Sequence, residues 1–161
     1  MITRIYNVTL VTPKELIPGG AIDMENGKIL AVHNAAPADA AGITLLDGKG
    51  AYAMPGFVDI HVHGGANVDF MGATPEQVRA ACVAHAKHGT TTILPTTVTA
   101  KLDMTENMIR AVCQAQAVTT ECTIAGVHLE GPFLSPKQAG AQDPKNIVPP
   151  VKEDYTRIVE T

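Results

Sequence analysis

Strand-like and helix-like segments alternate after residue 56, and this alternation limits the chain to folds that contain a parallel β-sheet. Strands are predicted over residues 57–63, 91–98 and 123–129. Helices are predicted to begin at Thr74, at Asp103 and near Glu153. Strands that alternate with helices of this length form βαβ units, which build both doubly wound sheets and (β/α)8 barrels. Periodicity alone leaves both architectures open.

The residues before this segment have β character instead. Asn26-Gly27, a strong signal for a two-residue hairpin turn, separates the strand-like runs Ile22–Glu25 and Lys28–Val32. A loop rich in Ala and Pro is expected over residues 35–42, and a further strand and turn over residues 44–50. We therefore expect two domains, a small β domain over residues 1–54 and an α/β domain over residues 55–161.

Composition excludes several classes of protein. With 45% hydrophobic and 17% charged residues, the chain is globular. The net charge of −4 and the absence of a Lys/Arg cluster argue against nucleic-acid binding. No apolar run predicts a membrane span or a signal peptide. Three cysteines without metal or redox spacing predict reduced thiols and a cytoplasmic protein.

The first strand after residue 56 carries polar and apolar side chains on opposite faces. Asp59, His61 and His63 alternate along one face, and the other face, predicted to pack under helices, carries Val58, Ile60 and Val62. Burying three titratable groups on one face is costly unless they pair or bind a metal. Because an isolated His-x-His is usually fortuitous, the pair alone leaves a surface or structural role open.

The third predicted strand ends in a carboxylate. Gly126, His128 and Glu130 share one face, and Gly131-Pro132 stops the strand. A carboxylate at the carboxyl end of such a strand is typical of a ligand or catalyst, with a buried ion pair to Arg as the structural alternative.

Two runs of sequence resemble a known family. Asp47–Gly50 with Met54–His63 resembles the start of the barrel in amidohydrolases, and Gly126–Phe133 resembles the signature of N-acetylglucosamine-6-phosphate deacetylases. The resemblance covers the whole chain. It implies that residues 1–54 belong to an N-terminal β-sandwich, and that residues 55–161 form about three βα units of an incomplete (β/α)8 TIM barrel.

The resemblance also implies a metal site. Glu130 matches the principal carboxylate ligand, and His61 and His63 match members that keep a second metal position. One or two divalent ions are expected, with zinc as the first choice and iron, manganese or cobalt as the others. Asp59 and His128 are expected to support these ligands without binding the metal.

The loop that follows is expected to contact the substrate. Some family members have Gly-x-His where this chain has Ala141-Gln142. Ala141 and Gln142 are therefore candidate substrate contacts. A glutamine cannot titrate, so a proton-transfer role at Gln142 is excluded.

The implied reaction is hydrolysis of the acetamido group of N-acetylglucosamine 6-phosphate, a phosphorylated amino sugar, to glucosamine 6-phosphate and acetate. The catalytic Asp, two further histidine ligands and the phosphate-binding groups are expected beyond residue 161, so residues 1–161 alone are expected to be inactive. A homo-oligomer, a dimer in the complete enzyme, is also implied. Two alternatives remain: another amidohydrolase such as a cyclic amidase, or a non-catalytic metal-binding fragment that needs a partner segment.

Overall fold

The computed structural model of the protein describes residues 1–39 and 41–161, and the structure is mixed α/β. The chain divides into two compact units, residues 1–55 and residues 56–161. Ala40, which falls in the loop predicted over residues 35–42, lies outside the described residues. No helix of the described part of the chain is long and apolar enough to cross a membrane.

The first unit is built on one mixed sheet. Its strands are β1 (Thr3–Val11), β2 (Leu16–Glu25), β3 (Lys28–His33), β4 (Thr44–Asp47) and β5 (Tyr52–Ala53). The order is β3-β2-β1-β4, and β5 also pairs with β1. Strands β1, β2 and β3 are antiparallel neighbours, whereas β4 and β5 run parallel to β1.

The predicted hairpin is confirmed between β2 and β3. Asn26 and Gly27 have φ angles of 50° and 74°. Positive φ at both central residues is what a type I′ turn requires, and its twist matches that of the strands it joins. Asn and Gly adopt this conformation at low cost, which is why the sequence signal was reliable here.

A buried ionic cluster links the three antiparallel strands. Arg4 of β1 donates from Nε and a terminal nitrogen to the two carboxylate oxygens of Asp23 on β2, at 2.6 and 2.8 Å. His33 of β3 lies 3.0 Å from the same carboxylate. The hydrogen bond from Arg4 holds the pKa of Asp23 far below its usual range. The sequence analysis did not identify this cluster.

The second unit alternates strands with helices. Its strands are β6 (Phe57–Val62), β7 (Gly64–Gly65), β8 (Val68–Asp69), β9 (Thr90–Pro95) and β10 (Thr123–Ile124). Its helices are α1 (Pro75–Ala86), α2 (Leu102–Val118) and α3 (Lys152–Val159), with short 3₁₀ turns at Pro136–Gln138 and Pro144–Asn146. The main sheet is parallel with the order β10-β9-β6, and β7 and β8 form a small antiparallel ribbon.

Helix α1 begins as the sequence predicts. The Thr74 hydroxyl accepts from the backbone N–H of Gln77, and the Gln77 side chain accepts from the backbone N–H of Thr74 at 2.9 Å. This reciprocal capping box satisfies N–H groups that a helix start would otherwise leave unpaired. The buried faces of α1 and α2 pack against Phe70 and Ile93 to form the core. Helix α1 contributes Val78 and Cys82, and helix α2 contributes Met108 and Val112.

The third predicted strand is shorter than expected. Its regular part covers only Thr123–Ile124, not residues 123–129. Gly126 has a φ of 147°, which a residue with a side chain rarely adopts, and the chain leaves the sheet there. His128 then forms an isolated parallel bridge with Thr96, the residue after the middle strand. The predicted strand over residues 91–98 likewise ends at Pro95, which lacks an N–H to extend the ladder.

Two burial predictions were also wrong. Val58 and Ile60 were expected to pack under helices but are 63% and 61% exposed, whereas Val62 packs against the core. The reason is that α1 packs over β9 and α2 over β10, which leaves the start of β6 uncovered within the described residues.

Candidate metal centre

His61, His63 and Glu130 converge at one point of the second unit. The Nε2 atom of His61 lies 3.2 Å from Nε2 of His63 and 3.1 Å from Oε2 of Glu130. The Nε2 atom of His63 lies 3.1 Å from the same carboxylate oxygen. The histidines stand at the carboxyl end of β6, and Glu130 follows the segment that rejoins β9. The sequence-predicted ligands are therefore brought together.

The spacing of these three atoms fits a shared cation. Ligand atoms about 2.0–2.1 Å from a tetrahedral ion lie about 3.3 Å from one another. Hydrogen bonding alone satisfies such a triangle poorly, because two imidazole N–H groups pointing at one carboxylate oxygen also point at each other. A cation at the centre would engage all three lone pairs, so the donor set fits a divalent metal.

A contact between the His63 ring and a backbone oxygen orients this side chain. Its Nδ1 atom lies 3.3 Å from the backbone oxygen of Thr96. A carbonyl oxygen can only accept, so Nδ1 is the donor in this contact, and a ring that carries its proton there has the Nε2 lone pair available for a metal ion. A backbone partner for the remote ring nitrogen is typical of metal-binding histidines.

Asp59 and His128 lie beside the ligands without joining them. His128 places Nδ1 2.6 Å from the backbone oxygen of Ile60, and its ring centroid lies 4.7 Å from that of His61 in an edge-on arrangement. The Asp59 carboxylate accepts from the backbone N–H of His61 at 3.2 Å. Both residues are placed where they could hold His61 in position, and that role stays a prediction.

Ala141 and Gln142 border an open cleft of about 500 Å³ beside the three ligands. The Gln142 Oε1 atom accepts from the backbone N–H of Thr99 at 2.7 Å, which leaves its amide nitrogen as a donor. Asp143 also lines the cleft, although its carboxylate is used by the N–H of Lys145 at the start of a 3₁₀ turn. The substrate contacts remain a prediction.

Sequence reasoning missed two residues next to the ligands. The Thr96 hydroxyl accepts from the backbone N–H of Val62, and the Thr97 hydroxyl accepts from that of Glu130, both at 2.9 Å. Both threonines are fully buried. The sequence analysis included them only in the strand predicted over residues 91–98, and the one available signal was a pair of hydroxyls directly after Pro95.

Comparison with known proteins identifies the family of the chain. Residues 52–159 match the amidohydrolase family. The chain is 35% identical over 151 residues to N-acetylglucosamine-6-phosphate deacetylase of Lysinibacillus sphaericus, covering 92% of this chain and 38% of that protein. Identity to the Bacillus subtilis deacetylase is 32% over 153 residues, covering 91% of this chain and 38% of that protein.

Among solved structures, the N-acetyl-D-glucosamine-6-phosphate deacetylase of Mycobacterium smegmatis, in complex with N-acetyl-D-glucosamine-6-phosphate, superposes with a TM-score of 0.77 at 31% identity. The match covers 99% of this chain and 40% of that one. The chain thus spans about two fifths of the length of the relatives it matches. Because the family match extends over most of its residues and includes the three converging side chains, the chain belongs to the amidohydrolase family.

Proposed function

We propose that the complete protein is a metal-dependent deacetylase that hydrolyses N-acetylglucosamine 6-phosphate to glucosamine 6-phosphate and acetate. The observation that carries this proposal is the convergence of His61, His63 and Glu130 within 3.2 Å of one another. The similarity to named deacetylases over nearly the whole chain supports the choice of substrate.

In this proposal Glu130 is the anionic ligand, and His61 and His63 supply neutral nitrogen donors. Two imidazoles and one carboxylate suit zinc first, and iron, manganese or cobalt as well. A divalent ion held there would acidify a coordinated water and polarise the amide carbonyl of the substrate. The residues of this chain hold that ion, orient His63 through Thr96 and supply one wall of the cleft.

Ala141 and Gln142 are proposed to meet the substrate in this cleft. The amide nitrogen of Gln142 can donate to a sugar or acetyl oxygen because its carbonyl is already engaged by Thr99. It cannot take up or release a proton at neutral pH. The proton-transfer group, an Asp in the family resemblance, is proposed to lie outside residues 1–161.

The wider architecture is also part of the proposal. Residues 1–54 are assigned to a β-sandwich, and residues 55–161 to the first three βα units of a (β/α)8 barrel. The parallel order β10-β9-β6 supports this assignment, because consecutive barrel strands are neighbours. We further propose a homodimer, as the family resemblance implies. A reducing, cytoplasmic setting is proposed as well, and the three free thiols support it.

A cyclic amidase is the second candidate, since the His-x-His strand is common to amidohydrolases. The segment His128–Phe133, with its sequence His-Leu-Glu-Gly-Pro-Phe, favours the deacetylase. A non-catalytic metal-binding fragment is the third candidate, and the intact mass of the natural protein compared with its coding length separates it from the others.

The test is an assay of the full-length protein with matched substrates. We expect acetate release from N-acetylglucosamine 6-phosphate and no ring opening of hydantoin or dihydroorotate. Glu130→Gln should abolish turnover, while Glu15→Gln, at an exposed position in the first unit, should leave it intact. Ring opening without acetate release would replace the proposal with the cyclic amidase.

A further inference from the structure

We propose that Thr96 and Thr97 are positioning residues that hold the two ligand-bearing segments at the distance a metal ion requires. These consecutive residues, the threonine pair, follow the end of β9, the middle strand of the three-stranded sheet. One hydroxyl bonds the segment with His61 and His63, and the other bonds the segment with Glu130. This inference rests on the proposed metal site.

The Thr97 hydroxyl holds Glu130 at a point where regular backbone pairing between strands has ended. Regular pairing with β9 stops at Ile124, and the chain turns away from the sheet at Gly126. Glu130 is then fixed by its N–H, which donates to the Thr97 hydroxyl at 2.9 Å, while the Thr97 N–H donates to the oxygen of His128 at 3.0 Å. The backbone of the carboxylate ligand is therefore anchored through one side-chain oxygen.

Thr96 does the same for the histidines on the opposite side. Its hydroxyl accepts from the N–H of Val62 at 2.9 Å, and its own N–H donates to the oxygen of Val62 at 2.8 Å. Val62 stands between His61 and His63, in a stretch where the pairing of β6 with β9 is irregular. The backbone oxygen of Thr96 also receives Nδ1 of His63. Thr96 thus positions the backbone beside His63 and also orients the His63 ring.

A purely structural role would be different. Thr105 is also fully buried, but its hydroxyl lies 3.5 Å from the oxygen of Lys101, the residue before α2, and bonds no ligand segment. In the threonine pair, each hydroxyl bonds a backbone N–H of a ligand or of its neighbour. Removing such a buried partner changes an equilibrium constant by about five- to tenfold.

The experiment compares Thr97→Val, Thr97→Ser and the control Thr105→Val in the full chain. Co²⁺ titration followed by visible absorption measures metal affinity, and amide hydrogen exchange without metal measures the protection of the Glu130 N–H. Thr97→Val should weaken Co²⁺ binding about five- to tenfold and speed exchange at Glu130. Thr97→Ser should stay within about twofold of the wild type in both measurements. Thr105→Val should lower Tm without changing either one.

Thr96→Val extends the test to the histidine side, where exchange at the Val62 N–H should become faster. If Thr97→Val does not fold, Thr97→Ala replaces it, because alanine and serine differ at this position only by the hydroxyl. Unchanged exchange and Co²⁺ affinity on loss of the Thr97 hydroxyl would overturn the proposal, as would a serine variant as impaired as the alanine one. A wild-type protein that binds no Co²⁺ would overturn the metal assignment instead, and exchange at Glu130 would still decide the role of Thr97.

Discussion

The Nε2 atom of His61 lies 3.1 Å from Oε2 of Glu130, although 69 positions separate the two residues in the sequence. The segments that carry them flank β9 on opposite sides. Because neighbouring strands lie about 4.8 Å apart, these two backbones stand about 10 Å from each other. The side chains meet above the end of the middle strand, and a metal bound there would join two elements that share no direct backbone pairing.

Loss of the charge at this contact should release the metal. In the full-length protein, Glu130→Gln keeps the shape of the side chain but removes its charge, so metal affinity should fall by more than about 100-fold, the upper end for an outer-shell partner. His61→Asn should be milder if one ion beside Glu130 suffices. Metal content after dialysis, measured by emission spectroscopy, tests both variants. Normal metal content in Glu130→Gln would refute the ligand assignment.

Thiol reactivity should follow burial. Burial raises the pKa of Cys82 to about 12, and the neighbouring charge of Cys122 adds to this effect. Burial also raises the pKa of Cys122. Cys113 is exposed. Of the thiols of Cys82, Cys113 and Cys122, iodoacetamide at pH 8 should therefore modify only that of Cys113 in the folded protein and all three in denaturant. The Cys113→Ser variant should lose the adduct of the folded state. Intact mass counts the adducts, and two rapid additions in the native state would contradict the assigned core.

The Arg4–Asp23 pair should make the first unit sensitive to acid. The pKa of Asp23 is lowered from its ordinary value of 3.8, chiefly by the hydrogen bond from Arg4. A carboxyl with a depressed folded-state pKa contributes its full stability above the unfolded value, and loses it as pH falls toward the folded value. Urea midpoints should therefore be level near neutrality and drop below about pH 4.

Asp23→Asn is the matched variant for this prediction. It should be less stable than the wild type at pH 7 and depend less on pH below 4, while Glu15→Gln should follow the wild-type curve. Parallel acid profiles for Asp23→Asn and the wild type would show that other carboxylates govern the response.

Residues 1–161 produced on their own should associate and should not release acetate. Val58 and Ile60 are exposed on β6, which among the described strands pairs only with β9. An apolar strand with an open edge recruits other chains, and a lysine on such a strand opposes this. Light scattering should detect oligomers that Val58→Lys reduces. A wild-type monomer at all concentrations that releases acetate would contradict both expectations.

The sequence was most informative where local pattern decides structure. The period-2 alternation placed His61 and His63 on one face, the hairpin signal located Asn26 and Gly27, and the capping box located Thr74. Each of these features depends on neighbours within a few residues. Glu130 was expected beside the histidines as well, but through a regular strand that the structure does not contain.

Features set by distant contacts were not predictable in the same way. The φ of Gly126 and the bridge at His128 depend on how that segment meets β9, which no local period records. The same holds for Arg4, whose partner Asp23 is defined only once β1 and β2 are in register. Hydroxyls such as that of Thr97 appear in sequence as strand formers, because their hydrogen-bond partners are known only from the fold.

The bond between Gln142 and Thr99 has an evolutionary consequence. The loop bordering the cleft is otherwise held by local turns, such as those from Gln138 to Ser135 and from Gln142 to Ala139. The Gln142 side-chain amide ties this loop to Thr99, in the segment that follows β9, so residues in the loop can be exchanged or inserted without rebuilding the sheet. The residues that border the cleft can therefore change while His61, His63 and Glu130 keep their places, and the form of the cleft can vary separately from the three converging side chains.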